Sequence, residues 1–258
     1  MLKNLIIALI AFGGNSLLAE DQNSIVDAAK AQDLSSLRIL LDSGENANSP
    51  DSDGSIALHW AVHNDSLEMT RLLIRAGSDV NAKNRYEVAA LSLAANNGNP
   101  DMVKMLLEAG AFANTVMAEN ESALMTASRT GVREVVSLLI EAGANVNARE
   151  SWRGQTALRW AAAEGNLQVL ELLVSEGAEV SARSDKGFTP LLFAAREGET
   201  KIVQSLITSG ALANEALPAR EAVVTENGMS SAAQTGMTPL LLAIGSAHFE
   251  TAALLLEL

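Results

Sequence analysis

The 258-residue sequence predicts an all-α fold, an α-solenoid of about seven helix-turn-helix units with β-turn or hairpin tips. Three observations predict it. One segment is rewritten along the chain as Ala57-Leu58-His59-Trp60-Ala61, Ala90-Leu91-Ser92-Leu93-Ala94, Ala123-Leu124-Met125-Thr126-Ala127, Ala157-Leu158-Arg159-Trp160-Ala161 and Pro190-Leu191-Leu192-Phe193-Ala194, its leucines in steps of 33, 33, 34 and 33. A second marker keeps the same register: Ala76-Gly77, Ala109-Gly110, Ala142-Gly143, Glu176-Gly177 and Ser209-Gly210. A fixed period of this length is the signature of a repeat architecture. The composition agrees, because 48% hydrophobic residues with only 3% aromatics make a core of Leu, Ala, Val and Ile, which suits thin, closely spaced helices better than a β-sandwich.

The elements follow in order. Residues 1–19 carry one cation (Lys3), an apolar run from Leu5 to Phe12, Gly13-Gly14 and a small residue, Ala19, before the first acid, Glu20. This pattern predicts a signal peptide removed near Ala19, since the apolar run is about half of what a membrane span needs. Leu17 is larger than usual three residues before such a cut. The repeat domain, 20–258, opens with a degenerate unit at 24–50 that serves as a polar cap. Units at 51–83, 84–116, 117–150, 151–183 and 184–216 follow. Each has a first helix, a turn at Gly98, Gly131, Gly165 or Gly198 with Asp65 the exception, and a second helix of Leu/Val-x-x-Leu-Leu spacing. Between Leu191 and Leu240 the spacing grows by 16 residues, which predicts an insert loop at 215–234 that either contacts a partner or is tolerated padding. The last unit, 233–258, stops inside a second helix at Leu254-Leu255-Leu256-Glu257-Leu258. Either the array continues beyond it or its apolar face binds something.

This pattern resembles the ankyrin repeat, whose units open on Thr-Pro-Leu-His-x-Ala after a β-turn. Thr189-Pro190-Leu191 and Thr238-Pro239-Leu240 match that opening, His59 supplies the histidine, and Gly77-Ser78-Asp79-Val80-Asn81-Ala82 and Gly143-Ala144-Asn145-Val146-Asn147-Ala148 match the closing loop. The resemblance covers about residues 24–258. The threonine slot holds Ile56, Ala89, Ser122 and Thr156 in other units, and most lack the histidine, which predicts weaker turns in the central units. Glycine after each second helix, as at Gly143, is expected to supply a left-handed cap.

Chemistry is poorly provided for. Without cysteine there is no disulfide, thiolate zinc site or cysteine nucleophile, and three histidines leave little for a metal centre. His59 and His63 stand four apart, but a third ligand is missing and Trp60 sits where a metalloprotease glutamate would be, so a packing or turn-bonding role is expected for His59. Asp51-Ser52-Asp53-Gly54 opens like a calcium loop without its closing acid. No enzyme and no cofactor are expected. A net charge of −13 repels phosphate backbones and argues against nucleic acid.

The resemblance implies a protein-binding surface made of tips and first helices. The tip contacts expected are Tyr86, Trp152, Arg153 and Phe188; those on the inner helices are His63, Asn64, Asn96, Asn97, Arg129, Glu164, Arg196 and Glu197. Trp60 and Trp160 serve either there or as core between units. The expected protein is an exported monomer, periplasmic or secreted, without membrane insertion once the signal is cleaved, and its acidic excess favours a partner with a basic face. An alternative is the targeting part of a larger secreted effector or toxin whose active domain lies beyond residue 258. A scaffold that assembles with its own copies is a further one.

Overall fold

A computed structural model describes residues 24–218 and 236–258. The expected signal peptide and most of the expected insert lie outside the described residues. Among those described, fourteen α-helices form seven pairs. They are α1 (Ile25–Lys30) with α2 (Leu34–Asp42), α3 (Ala57–His63) with α4 (Leu67–Arg75), α5 (Ala90–Asn97) with α6 (Pro100–Glu108), and α7 (Ala123–Thr130) with α8 (Arg133–Glu141). Then come α9 (Ala157–Ala163) with α10 (Leu167–Ser175), α11 (Pro190–Glu197) with α12 (Thr200–Thr208), and α13 (Pro239–Gly245) with α14 (Phe249–Glu257). None exceeds nine residues, too short to be stable alone in water. Each is held by its neighbours: the first helices pack on one another in an inner row, and the second helices form an outer row.

The inner row is close because its middle positions are small. Ala61, Ala94, Ala95, Ala127, Ala161, Ala162, Ala194 and Ala195 are all fully buried, and one apolar core runs without interruption from Ile25 to Leu255. Helix starts are capped where the sequence offers an oxygen. The hydroxyls of Ser122, Thr156, Thr189 and Thr238 accept from the amides of Met125, Arg159, Leu192 and Leu241 at 3.2–3.4 Å. Ala89, ahead of α5, makes no side-chain cap. At α3, which begins after Ile56, the imidazole of His59 caps instead: its Nδ1 accepts from the Ile56 amide at 3.1 Å.

Gly143 closes α8 at φ +88, and a Cβ there would meet nothing within 4 Å. The cost of a side chain is thus backbone strain alone, and Gly143→Val is expected to lose about 1 kcal/mol or more, read as a lower urea midpoint.

The turns between units carry a second device. Asn48, Asn81, Asn114 and Asn147 each clip the next unit at two points. Their side-chain N–H groups donate to the carbonyls of Gly77, Gly110, Gly143 and Gly177 at 2.9–3.0 Å. Their oxygens accept from the amides of Asp79, Phe112, Asn145 and Glu179 at 2.7–2.9 Å. Ser181 takes the next place in this series and makes no such clip.

The described ends of the insert meet. Leu217 donates its amide to the Met237 carbonyl at 3.0 Å and accepts from the Gly236 amide at 3.2 Å. Its side chain is buried with Phe188, Leu192, Phe193 and Leu242 in a small second core. At the far end of the array, Leu241, Ile244, Phe249, Leu256 and Leu258 are exposed.

Candidate functional site

The tips of units two, three and five are ordered by a polar residue at the start of the loop that accepts from the loop's own amides. Asp51 Oδ1 takes the amides of Asp53 and Ser55, and Asn84 Oδ1 those of Tyr86 and Val88. Glu150 takes those of Trp152, Arg153 and Gln155. Adjacent tips are also joined through the backbone, Arg85 to Asp53, Ser151 to Glu119 and Asp185 to Arg153, at 2.7–2.8 Å. These bonds join the tips of units two and three, and separately those of units four to six.

Trp152 stands out on the edge formed by units four to six. It is 63% exposed, and the Arg153 guanidinium lies 3.8 Å from its ring centroid. Tyr86 is half-buried against the main core. Phe188 corrects the expectation for it: it is buried at 6% exposure, its ring 4.9 Å from Phe193. Its apolar ring turns inward onto the second core instead of out from the tip, because Leu217 of the following segment gives it a surface to cover.

The inner helices hold the remaining residues. Asn64 and Asn97 are joints between units: their side-chain amides donate to the carbonyls of Ala29 and Val62 at 3.2 and 2.7 Å. His63 packs edge-on against Trp60, and Asn96 lies half-buried on α5. Glu164 is exposed beyond α9. Arg129, Arg196 and Glu197 belong to a larger arrangement that sequence reasoning did not assemble. Cations and aromatic rings alternate along units four to six. Arg129 lies 5.6 Å from the Trp160 ring, Arg159 lies 4.4 Å from Trp160 and 4.0 Å from Phe193, and Arg196 lies 4.9 Å from Phe193 and 5.5 Å from Phe188. Arg196 also pairs with Glu197 at 2.7 Å, and Arg129 with Glu121 at 3.7 Å.

Arg159 occupies the slot that His59 fills in the second unit, and it is 9% exposed. Burial, together with the positive charges of Arg196 and Arg153, pulls its guanidinium down to about 10, so it remains charged at neutral pH. Its one side-chain hydrogen bond among the described residues runs from Nη1 to Gln155 Oε1 at 2.9 Å. A family model described as ankyrin repeats, in three copies, matches residues 4–84, 25–117, 91–184, 124–216 and 177–258. The chain belongs to the ankyrin repeat family. A comparison with the curated proteins gives no match. Ankyrin repeats are in general protein–protein interaction modules, and ankyrin-repeat proteins are typically non-enzymatic scaffolds.

In this ankyrin-repeat chain both ring nitrogens of His59 are engaged by backbone, Nδ1 with Ile56 and Nε2 with the carbonyls of Ala82 and Val88 at 3.1 Å. Asp51 is likewise occupied, by its own tip, by Lys30 at 3.0 Å and by the Trp60 indole at 3.3 Å. Burial works against its charge, but Lys30 and the tip amides outweigh it and hold the carboxyl below the usual carboxylate range. Among the described residues no three metal-ligating side chains gather, and no helix is long and apolar enough to cross a membrane.

Proposed function

We propose that the chain is a non-enzymatic binding module, exported to the periplasm or the medium, that holds a protein partner as a monomer on the tips and inner helices of units four to six. The observation that carries this reading is Trp152. A tryptophan 63% exposed, with an arginine stacked on it, stands on an edge that the joined tips keep rigid. Large aromatic and arginine side chains on preformed surfaces are what binding hot spots use, and a stiff array loses little conformational freedom when it binds.

The test is capture from envelope and culture extracts by residues 20–258, run beside Trp152→Ala. Truncating a central aromatic contact is expected to cost about 2 kcal/mol or more of binding, so a protein retained by the parent should be lost by the variant. Equal retention by both, with both folded by circular dichroism, would remove the tip from the interface. Export is checked by the mass of the protein recovered from those fractions, expected to lack residues 1–19.

A further inference from the structure

Units two and five build the same corner, and in only one of them is it complete. Lys30 and Arg129 hold the same slot in units one and four, and each lies over the tryptophan of the next unit: Lys30 is 5.0 Å from the Trp60 ring and Arg129 is 5.6 Å from the Trp160 ring. In unit two a carboxylate closes the corner. Asp51 gives Oδ1 to the amides of its tip and Oδ2 to the Trp60 indole N–H at 3.3 Å and the Lys30 ammonium at 3.0 Å.

Glu150 holds the slot of Asp51 in unit five and has one more methylene. Both of its oxygens go to the tip: Oε1 accepts from Arg153 and Gln155 at 3.0 Å, and Oε2 accepts from Trp152 and Arg153. The Trp160 indole N–H and the neighbouring Arg159 Nε–H are left buried, with no acceptor among the described residues. An unpaired buried donor of this kind costs free energy until something accepts from it. Arginine and the indole offer donors only, whereas a carboxylate offers acceptors only.

We infer that the corner of unit five is a docking site for an acidic side chain, an Asp or Glu from an extended acidic segment of the protein partner. Its carboxylate takes the place that Asp51 Oδ2 takes in unit two, against the Trp160 indole and Arg129, with Arg159 behind it. Arg129, held by Glu121 only at 3.7 Å, turns onto the ligand. This inference rests on the protein-binding reading and sets the chemistry of its contact. It gives the contact the sign opposite to that of the whole chain, whose charge of −13 repels acidic segments elsewhere and so makes this corner selective for them.

The test follows the three indole N–H signals by NMR, assigned with Trp60→Phe and Trp152→Phe, as the full chain is titrated with blocked hexaglutamate. Hexaglutamine, hexalysine and hexathymidylate are the comparison ligands. Hexaglutamate should move the Trp160 signal downfield to saturation and leave Trp60, whose acceptor is in place, unmoved. Arg129→Gln and Arg159→Met, both checked for fold by circular dichroism, should each weaken the response at least about tenfold. Arg38→Gln, on the outer helix α2, should leave it unchanged. A still Trp160 signal, an equal response to hexaglutamine, a stronger one to hexathymidylate, or unaltered affinity in Arg129→Gln overturns the inference. Hexalysine moving Trp152 while hexaglutamate moves nothing also overturns it, yet leaves the protein-binding reading standing. That reading falls separately, if Trp152→Ala retains every captured protein.

Discussion

Leu124→Ala is expected to lower the unfolding free energy by about 3 kcal/mol, the loss typical of a leucine removed from a tightly packed core. Leu124 is 1% exposed on α7, which packs against α5 and α9 on either side and against its own partner α8. The spacing of these helices is fixed by buried alanines such as Ala94, Ala127 and Ala161, so they cannot close over the cavity. In an array where each unit touches only its neighbours, a defect in the middle weakens two interfaces at once. Urea unfolding followed by circular dichroism should show the fall in midpoint. Leu212→Ala, at a side chain 74% exposed, should show a change within about 0.5 kcal/mol. A Leu124→Ala midpoint no lower than that of Leu212→Ala would mean that the central units are loosely packed.

His59→Ala is expected to cost about 3 kcal/mol at neutral pH, through the lost volume and through the Ile56 amide left buried without its acceptor. The same histidine sets a pH dependence. Burial holds its imidazole below the ordinary range, against the carbonyls of Val88 and Ala82, which favour the charged form. Because the folded state resists protonation more than the unfolded chain, the contribution of His59 is complete above about pH 6.5 and declines as the pH falls below it. Midpoints measured from pH 7.5 to 5 should fall for the parent chain and stay nearly level for His59→Ala. Equal slopes would place the titrating group elsewhere.

The repeat and its pairs of helices were legible in the sequence because period and glycine markers coincide, and a period constrains every unit together. The direction of single side chains was not. Phe188 and Trp152 both fall near tips, yet one ring is buried and the other exposed, and what separates them is Leu217, which comes from a segment where the period is broken. Asn64 and Asn97 looked like free polar groups on an inner helix, but the carbonyls they reach belong to the preceding unit. The asparagines at 48, 81, 114 and 147 were visible as a recurrence, and aligning the units would have marked them as joints. The difference between Asp51 and Glu150 reads as a conservative change on paper. Only the path of the longer side chain back into its own tip shows that it leaves Trp160 unanswered.

The asparagine clips, which end where Ser181 replaces the next amide, also bear on how the molecule yields under load. From the first unit to the fifth, every joint on the outer edge is fastened by a donor and an acceptor from one side chain, like a zip with all its teeth. Beyond it, no such clip is made among the described residues. Tension applied through the two ends of the chain would therefore peel units six and seven away first and leave the first five as a stiff rod. A partner held at unit five sits at the end of that rod.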